Sequence, residues 1–286
     1  MPESVLRVGC AMWANRAWVG TALPSATAGG DELAAYSKVV NSVEGNTTFY
    51  ALPSVDTAIK WARSVPSSFR FMFKLPKQIT HERRLRQCES ELRTFFHALE
   101  PLFSLMEPTS IQLPASFAPA DLEVLDAFLR QLPADFRWAV EVRHPAFFGT
   151  DHDRAVNDLL HSHGADRIIL DSRPVFAGPR VTPAEHDAFA SKPRVPVRAV
   201  ATADRPVVRF IGQTEADANP AFWEPWVPTV ARWIDAGRIP TFFVHTPDNL
   251  VAPELARRFH AAVAELVPGL TPLPDAPTAA NPELFP

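Results

Sequence analysis

Eight short apolar runs rich in β-branched and aromatic residues recur along this chain, separated by stretches with helical spacing. The runs are Val5–Gly9, Val39–Glu44, Phe69–Lys74, Ser110–Leu113, Trp138–Arg143, Ile168–Asp171, Val207–Ile211 and Thr241–His245. Between them, Leu122, Leu125, Leu129 and Leu132 fall along one helical face, as do Leu255, Phe259, Ala262 and Leu266. The spacing predicts helices over 31–38, 54–64, 89–104, 119–132, 152–163, 183–191, 224–236 and 253–266. Thr182-Pro183-Ala184-Glu185 has capping-box spacing with Pro at the first helical position. Strands alternating with helices over 286 residues point to a single TIM-barrel-like (β/α)8 domain rather than an open sheet. Its expected span is 1–268, with a Pro-rich tail over 269–286.

Other nucleotide-binding α/β folds are disfavoured. After the first run the chain reads Gly9-Cys10-Ala11-Met12-Trp13, without the Gly-rich turn of a dinucleotide site. No loop ends in the Gly-Lys-Ser/Thr of a phosphate cradle. With 28 Lys+Arg against 32 Asp+Glu, the chain lacks the basic excess of a protein that coats duplexes. Cys10 and Cys88 show no metal-ligand spacing and are expected to be reduced. No apolar run reaches the ~18 residues of a membrane span, and the start lacks a leader's basic and apolar regions, so a cytoplasmic protein is expected.

Polar residues cluster near the ends of the runs: Glu44, Lys74, Gln112, Glu141, Arg143, Asp171, Arg209 and His245. In a closed parallel barrel these ends meet at one mouth, where such folds keep their chemistry. Strand alternation sharpens the placement, putting Glu141 and Arg143 on one face, Met72 and Lys74 on another, and Ser42 with Glu44. Lys74, Arg143 and Arg209 form an expected clamp for phosphate or carboxylate. Glu44 and Glu141 are candidate general acid and base, one pKa raised by its partner or by burial. Lys74 is also a candidate Schiff-base nucleophile. Asp171 and His245 could join the glutamates as ligands of a divalent metal, although no tight ligand spacing supports one. Trp13, Trp18 and Tyr50 are a candidate apolar wall. The basic stretch Lys74–Arg84, with His81, is expected to overhang the mouth, and the long connections 11–30 and 172–205 are candidate lids or binding loops. A satisfied ion-pair network capping the core would also account for these charges.

Several stretches resemble the YecE-like family, the domain of unknown function family 72. They are Val43-Glu44-Gly45-Asn46-Thr47-Thr48-Phe49-Tyr50, Phe71-Met72-Phe73-Lys74-Leu75-Pro76, Ile79-Thr80-His81, Gln112-Leu113-Pro114, Val140-Glu141-Val142-Arg143-His144-Pro145, Ile169 to Val175, Phe210-Ile211-Gly212 and His245-Thr246-Pro247-Asp248. The resemblance extends from the first run almost to the C-terminus. It implies a TIM-barrel-like fold and no established reaction or cofactor. Residue correspondence is firmest for Glu44, Lys74, Gln112, Glu141 and Arg143; Asn46, Tyr50 and His81 also lie in matching stretches and are expected to bind substrate. Many members carry His where this chain has Phe210, and an Asn-rich ending where it has His245-Thr246-Pro247-Asp248. Three functions fit these residues. The first is an enzyme for a small anionic, phosphorylated or carboxylated substrate. The second is a nucleic-acid-associated, metal-dependent hydrolase, or a sliding-clamp partner docking through Asn281, Leu284 and Phe285. The third is a non-catalytic ligand-binding barrel.

Overall fold

A computed structural model describes residues 4–149 and 151–275. The β1 strand (Arg7–Cys10) is followed by β2 (Ser42–Gly45), β3 (Arg70–Phe73), β4 (Thr109–Gln112), β5 (Trp138–Glu141), β6 (Asp166–Asp171), β7 (Val207–Ile211) and β8 (Thr241–His245). All ladders are parallel, in the order β3-β2-β1-β8-β7-β6-β5-β4. The two ends of this sheet meet through bridges Lys74↔Ser110 and Phe71↔Met106, with Leu75 N donating to Ser110 O at 2.9 Å. A near-closed (β/α)8 barrel results.

Side-chain alternation fixes its two layers. Met72, Ala139, Ile168, Val207 and Phe243 form a separate apolar plug inside the barrel. Their neighbours in the chain, such as Phe71 and Phe73, Val140, Ile169, Val208, Phe242 and Val244, join the larger core between strands and helices. Two residues beyond the plug, on the same inward face, stand Lys74, Glu141, Leu170, Arg209 and His245. The plug therefore sits directly beneath the polar layer.

Helices α1 (Glu32–Tyr36), α2 (Val55–Ser64), α3 (Glu89–Leu99), α4 (Leu122–Gln131) and α5 (Asp151–Ser162) follow the first five strands. After β6 come α6 (Arg173–Ala177) and α7 (Pro183–Ser191), after β7 α8 (Pro220–Trp223) and α9 (Trp226–Asp235), and last α10 (Ala252–Ala264). The capping box forms as spaced: Thr182 Oγ1 accepts from Glu185 N at 3.2 Å, and Glu185 Oε2 accepts from Thr182 N at 2.9 Å. The predicted helix 89–104 is shorter, because Pro101 converts its end to a 3-10 turn over Glu100–Leu105. The five-residue α6 is too short to show a period and was not expected.

Residues 270–274 do not leave the barrel as a free tail. Thr271 N donates to Ser4 O at 2.9 Å and Arg257 Nη1 to Pro274 O at 2.8 Å, tying this segment across the N-terminal end. The peptide carrying Asn281, Leu284 and Phe285 lies outside the described residues. Among those described, no helix is long and apolar enough to cross a membrane.

Candidate functional site at the barrel mouth

Local sequence builds the mouth. After β2 the chain turns at Gly45, where an added Cβ would stand 2.5 Å from the Phe73 ring, so only glycine lets β2 end this close to β3. Thr48 locks that turn, its Oγ1 donating to Lys74 O at 2.7 Å. Asn46 is thereby aimed back at the mouth, its Nδ2 donating to Ala11 O (2.8 Å) and Glu44 Oε2 (3.1 Å). Past β3 the chain makes a π-type turn over Gln78–Glu82, then holds Arg84, Leu85 and Gln87 at positive φ. Such backbone is uncommon for residues with side chains and concentrates at functional loops.

At the centre lies an ion-paired cluster. Arg209 Nε is 2.7 Å from Glu44 Oε1, and Arg209 Nη1 is 2.6 Å from Glu141 Oε2, so one guanidinium joins two buried carboxylates. Lys74 Nζ lies 3.4 Å from Glu44 Oε1 and donates to Gln112 Oε1 at 3.1 Å. His245 Nε2 is 3.1 Å from Glu44 Oε2, and Arg143 Nε is 2.5 Å from Glu141 Oε1. These residues come from β2, β4, β5, β7 and β8, with Lys74 just past the end of β3 and Arg143 two residues past that of β5.

Burial and charge set the protonation states. Burial pushes the Glu44 carboxyl up, but Arg209, Lys74 and His245 outweigh it and hold it well below the usual carboxylate range. Glu141 behaves alike: burial raises it, while Arg143, Arg209 and Lys74 bring it down to about 2. The expectation that one carboxyl would be raised into an acid is therefore overturned. Each is flanked by cations rather than by the other's charge, and both stay ionised. The group moved toward neutrality is Lys74, lowered to about 8 by burial and by Arg209, against the pull of Glu44 and Glu141. Burial lowers His245 to about 4, despite Glu44, so its ring is neutral at neutral pH.

Over this cluster opens a cleft of about 410 Å³. Lys74, Gln112, Arg143, Arg209 and His245 line it, with Asn46, Phe49 and Tyr50 along one wall. Another part of its lining comes from the 172–205 connection, through Ser191 at the end of α7 and Lys192 and Pro193 just after it. Ser172 Oγ anchors that segment by donating to Pro193 O at 2.8 Å. Lys192, which no sequence pattern singled out, caps α7 through its backbone N–H, which donates to Ala188 O at 3.0 Å, while its side-chain ammonium makes no hydrogen bond or ion pair among the described residues; burial, Arg209 and Arg143 lower its pKa. Four cations and two carboxylates thus surround the cleft, leaving it electropositive.

Other expected residues fall elsewhere. Asp171 points to the helix layer, accepting from Trp226 Nε1 (2.8 Å) and from Arg173 Nε and Nη2 (2.9 and 2.7 Å). It therefore cannot join the glutamates and His245 around a metal, and among the described residues no three His, Cys, Asp or Glu converge to hold one. Trp18 is not a wall of the mouth: fully buried, it stacks on Tyr36 and donates to Asn249 O at 2.7 Å. Trp13 packs edge-on against Trp61 beside the mouth, and Tyr50 stands exposed on its rim. His81 sits edge-on to Phe49 behind the cleft wall, its pKa lowered by burial and by Arg143. Phe210 faces the helices and packs on Trp223 and Phe242, away from the mouth.

Fold and site together define a (β/α)8 barrel with an ion-paired, electropositive cleft at the C-terminal ends of its strands. The family model described as "Protein of unknown function DUF72" matches residues 7–280, and the chain belongs to that family. It is 37% identical to UPF0759 protein YecE of Escherichia coli strain K12 over 274 residues, covering 96% of this chain and 98% of the relative. Among solved structures, a DUF72 family protein from Thermotoga maritima MSB8 matches with a TM-score of 0.67 at 20% identity, over 92% of this chain and 98% of that one. Another, from Enterococcus faecalis V583, gives 0.66 at 16% identity over 92% and 97%. These likenesses bear on the fold.

Proposed function

We propose that the mouth binds a small anionic substrate, phosphorylated or carboxylated, and that Lys74 exchanges a proton with it. The observation carrying this reading is Lys192, whose ammonium is held over the cleft by a long loop and has no partner among the described residues. Arg143 adds a guanidinium whose ion pair to Glu141 engages Nε, leaving the fork free for a bidentate contact. Arg209 does not belong to this clamp as first expected. Its Nη1 donates to Glu141 Oε2 at 2.6 Å and its Nη2 to Glu44 Oε2 at 3.2 Å, and it acts as the staple that keeps both carboxylates in place. A role limited to capping the core would satisfy every charge, whereas here Lys192 remains unsatisfied.

A catalytic reading is favoured over a purely binding one by the Lys74 amine, poised at about 8 beside Gln112. Such a group serves as proton donor or acceptor near neutral pH. The carboxylates then act as fixed charges rather than as acid and base. Calorimetric titration with sulfate, a sugar phosphate and a dicarboxylate tests the reading. Lys192→Met should keep the fold's stability and weaken anion binding by roughly tenfold or more, the worth of one charge-assisted hydrogen bond. Equal binding by the variant and the parent, or no binding of any anion by the parent, refutes it.

A further inference from the structure

Beside the charged cleft lies a second hollow of about 320 Å³, lined by Ala11, Met12, Trp13, Ala14 and Thr47, with Asn46 and Tyr50. Its character is the reverse of its neighbour's, since Met12, Trp13 and the two alanines leave little polar surface. Glu44 touches its floor, but that carboxylate is already ion-paired with Arg209 and Lys74. Ala11, Met12, Asn46 and Tyr50 line both hollows, so the two are continuous. Tyr50 at this junction is 77% exposed and presents its ring at the rim that the two hollows share.

Asn46 at the same junction carries a second signal. Both partners of its Nδ2, Ala11 O and Glu44 Oε2, are pure acceptors, which fixes the amide orientation. Its Oδ1 is consequently turned away from them and finds no donor among the described residues. A buried acceptor without a donor is costly, and binding sites are where such atoms are retained.

The geometry points to a bipartite ligand: an anion carrying an apolar, aromatic-sized group, the charge lying among Lys74, Arg143 and Lys192 and the apolar end against Met12, Trp13 and Tyr50. This rests on the proposed anion site and names its substrate class. The apolar hollow is roomy enough for a ring with its substituents, and its opening into the cationic cleft places the two ends on one small molecule. An NH or OH between the two ends would reach the Asn46 acceptor. Plain sugar phosphates, polar throughout, would leave the hollow filled with poorly held water.

Calorimetric titration of the full chain with methyl phosphate, phenyl phosphate and benzyl alcohol separates the two layers of the argument. Phenyl phosphate should bind at least about tenfold tighter than methyl phosphate, the worth of burying most of a ring, and benzyl alcohol should not bind measurably. In Ala14→Trp, which fills the hollow from an exposed position, that preference should fall below about threefold while methyl phosphate binding persists, and in Tyr50→Ala, whose side chain borders both hollows, the preference should fall likewise. Thermal melts of both variants confirm that they are folded. Equal binding of the two phosphates, or a preference retained in both variants, overturns the bipartite ligand and leaves the anion site standing. Failure of both phosphates to bind removes the anion site and this inference with it.

Discussion

Replacing Arg209 with Met is the sharpest perturbation of this barrel, because one guanidinium holds two buried carboxylates at 2.7 and 2.6 Å. Breaking a buried pair by removing one partner costs about 3–5 kcal/mol, since an uncompensated charge is left behind. The Glu141 carboxyl gives an independent gauge. It moves from 4.5 to about 2, against burial and through Arg143, Arg209 and Lys74. At 1.36 kcal/mol per pH unit, its ionised state contributes about 3 kcal/mol. Arg209 supplies part of that, and it is the strongest of the cations opposing burial at Glu44. A loss of about 3 kcal/mol at neutral pH is therefore expected, equivalent to roughly 6–12 °C in Tm for a domain of this size. The pH dependence follows from the direction of the shifts. Carboxyls lowered in the folded state stabilise it above their ordinary value, and that gain is lost as pH falls from about 4.5 toward about 2. The deficit of Arg209→Met should accordingly shrink over that window, as the parent loses the same advantage. Urea denaturation of parent and Arg209→Met measures it. A deficit below about 1 kcal/mol at neutral pH, or one unchanged on acidification, refutes the assignment of Arg209 as the staple.

Gly45→Ala should destabilise by about 1–3 kcal/mol, because its Cβ would stand 2.5 Å from a Phe73 ring carbon; chemical denaturation measures this, and Phe73→Leu in the same chain should recover part of the loss. Thr182→Ala removes the side chain that accepts from Glu185 N at the start of α7 and should cost about 1 kcal/mol. Because α7 ends where Lys192 begins its reach over the cleft, faster amide exchange over 183–192 should accompany that loss.

The barrel was legible because two periods, that of strands and that of helices, alternate along the whole chain. Glu44, Lys74, Glu141 and Arg209 were legible for the same reason: parity within each run left them no outward position. Asp171 shows where that reasoning stops. In Ile168-Ile169-Leu170-Asp171 both faces are apolar up to the last residue, so nothing in the run says which way the aspartate turns, and a shift of one residue reverses the answer. Trp18 could not be sorted either, since an indole serves equally in a wall or in a core. Lys192 was invisible for a different reason. It follows a helix in a Pro- and Arg-rich connection with no period, and its place over the mouth depends on the distant contact from Ser172 Oγ to Pro193 O.

The protonation state of the cleft ties binding to chemistry. Lys74 is lowered to about 8 chiefly by burial and by the neighbouring Arg209. An anion seated among Lys74, Arg143 and Lys192 adds a negative charge beside the amine and so favours its ammonium form. Reciprocity then requires that anion binding near pH 8 draw in a proton, on the order of half a proton per ligand, and that affinity fall as pH rises through about 8. Sulfate suits the measurement because its own charge is constant there. Titrations in buffers of different ionisation enthalpy give the proton count directly, with uptake expected near pH 8 and little at pH 6, where the amine is already charged. In Lys74→Met the uptake should vanish, while weaker binding through Arg143 and Lys192 remains. Uptake that survives this substitution assigns the proton to another group, and binding without any uptake near pH 8 shows that the anion does not sit beside Lys74.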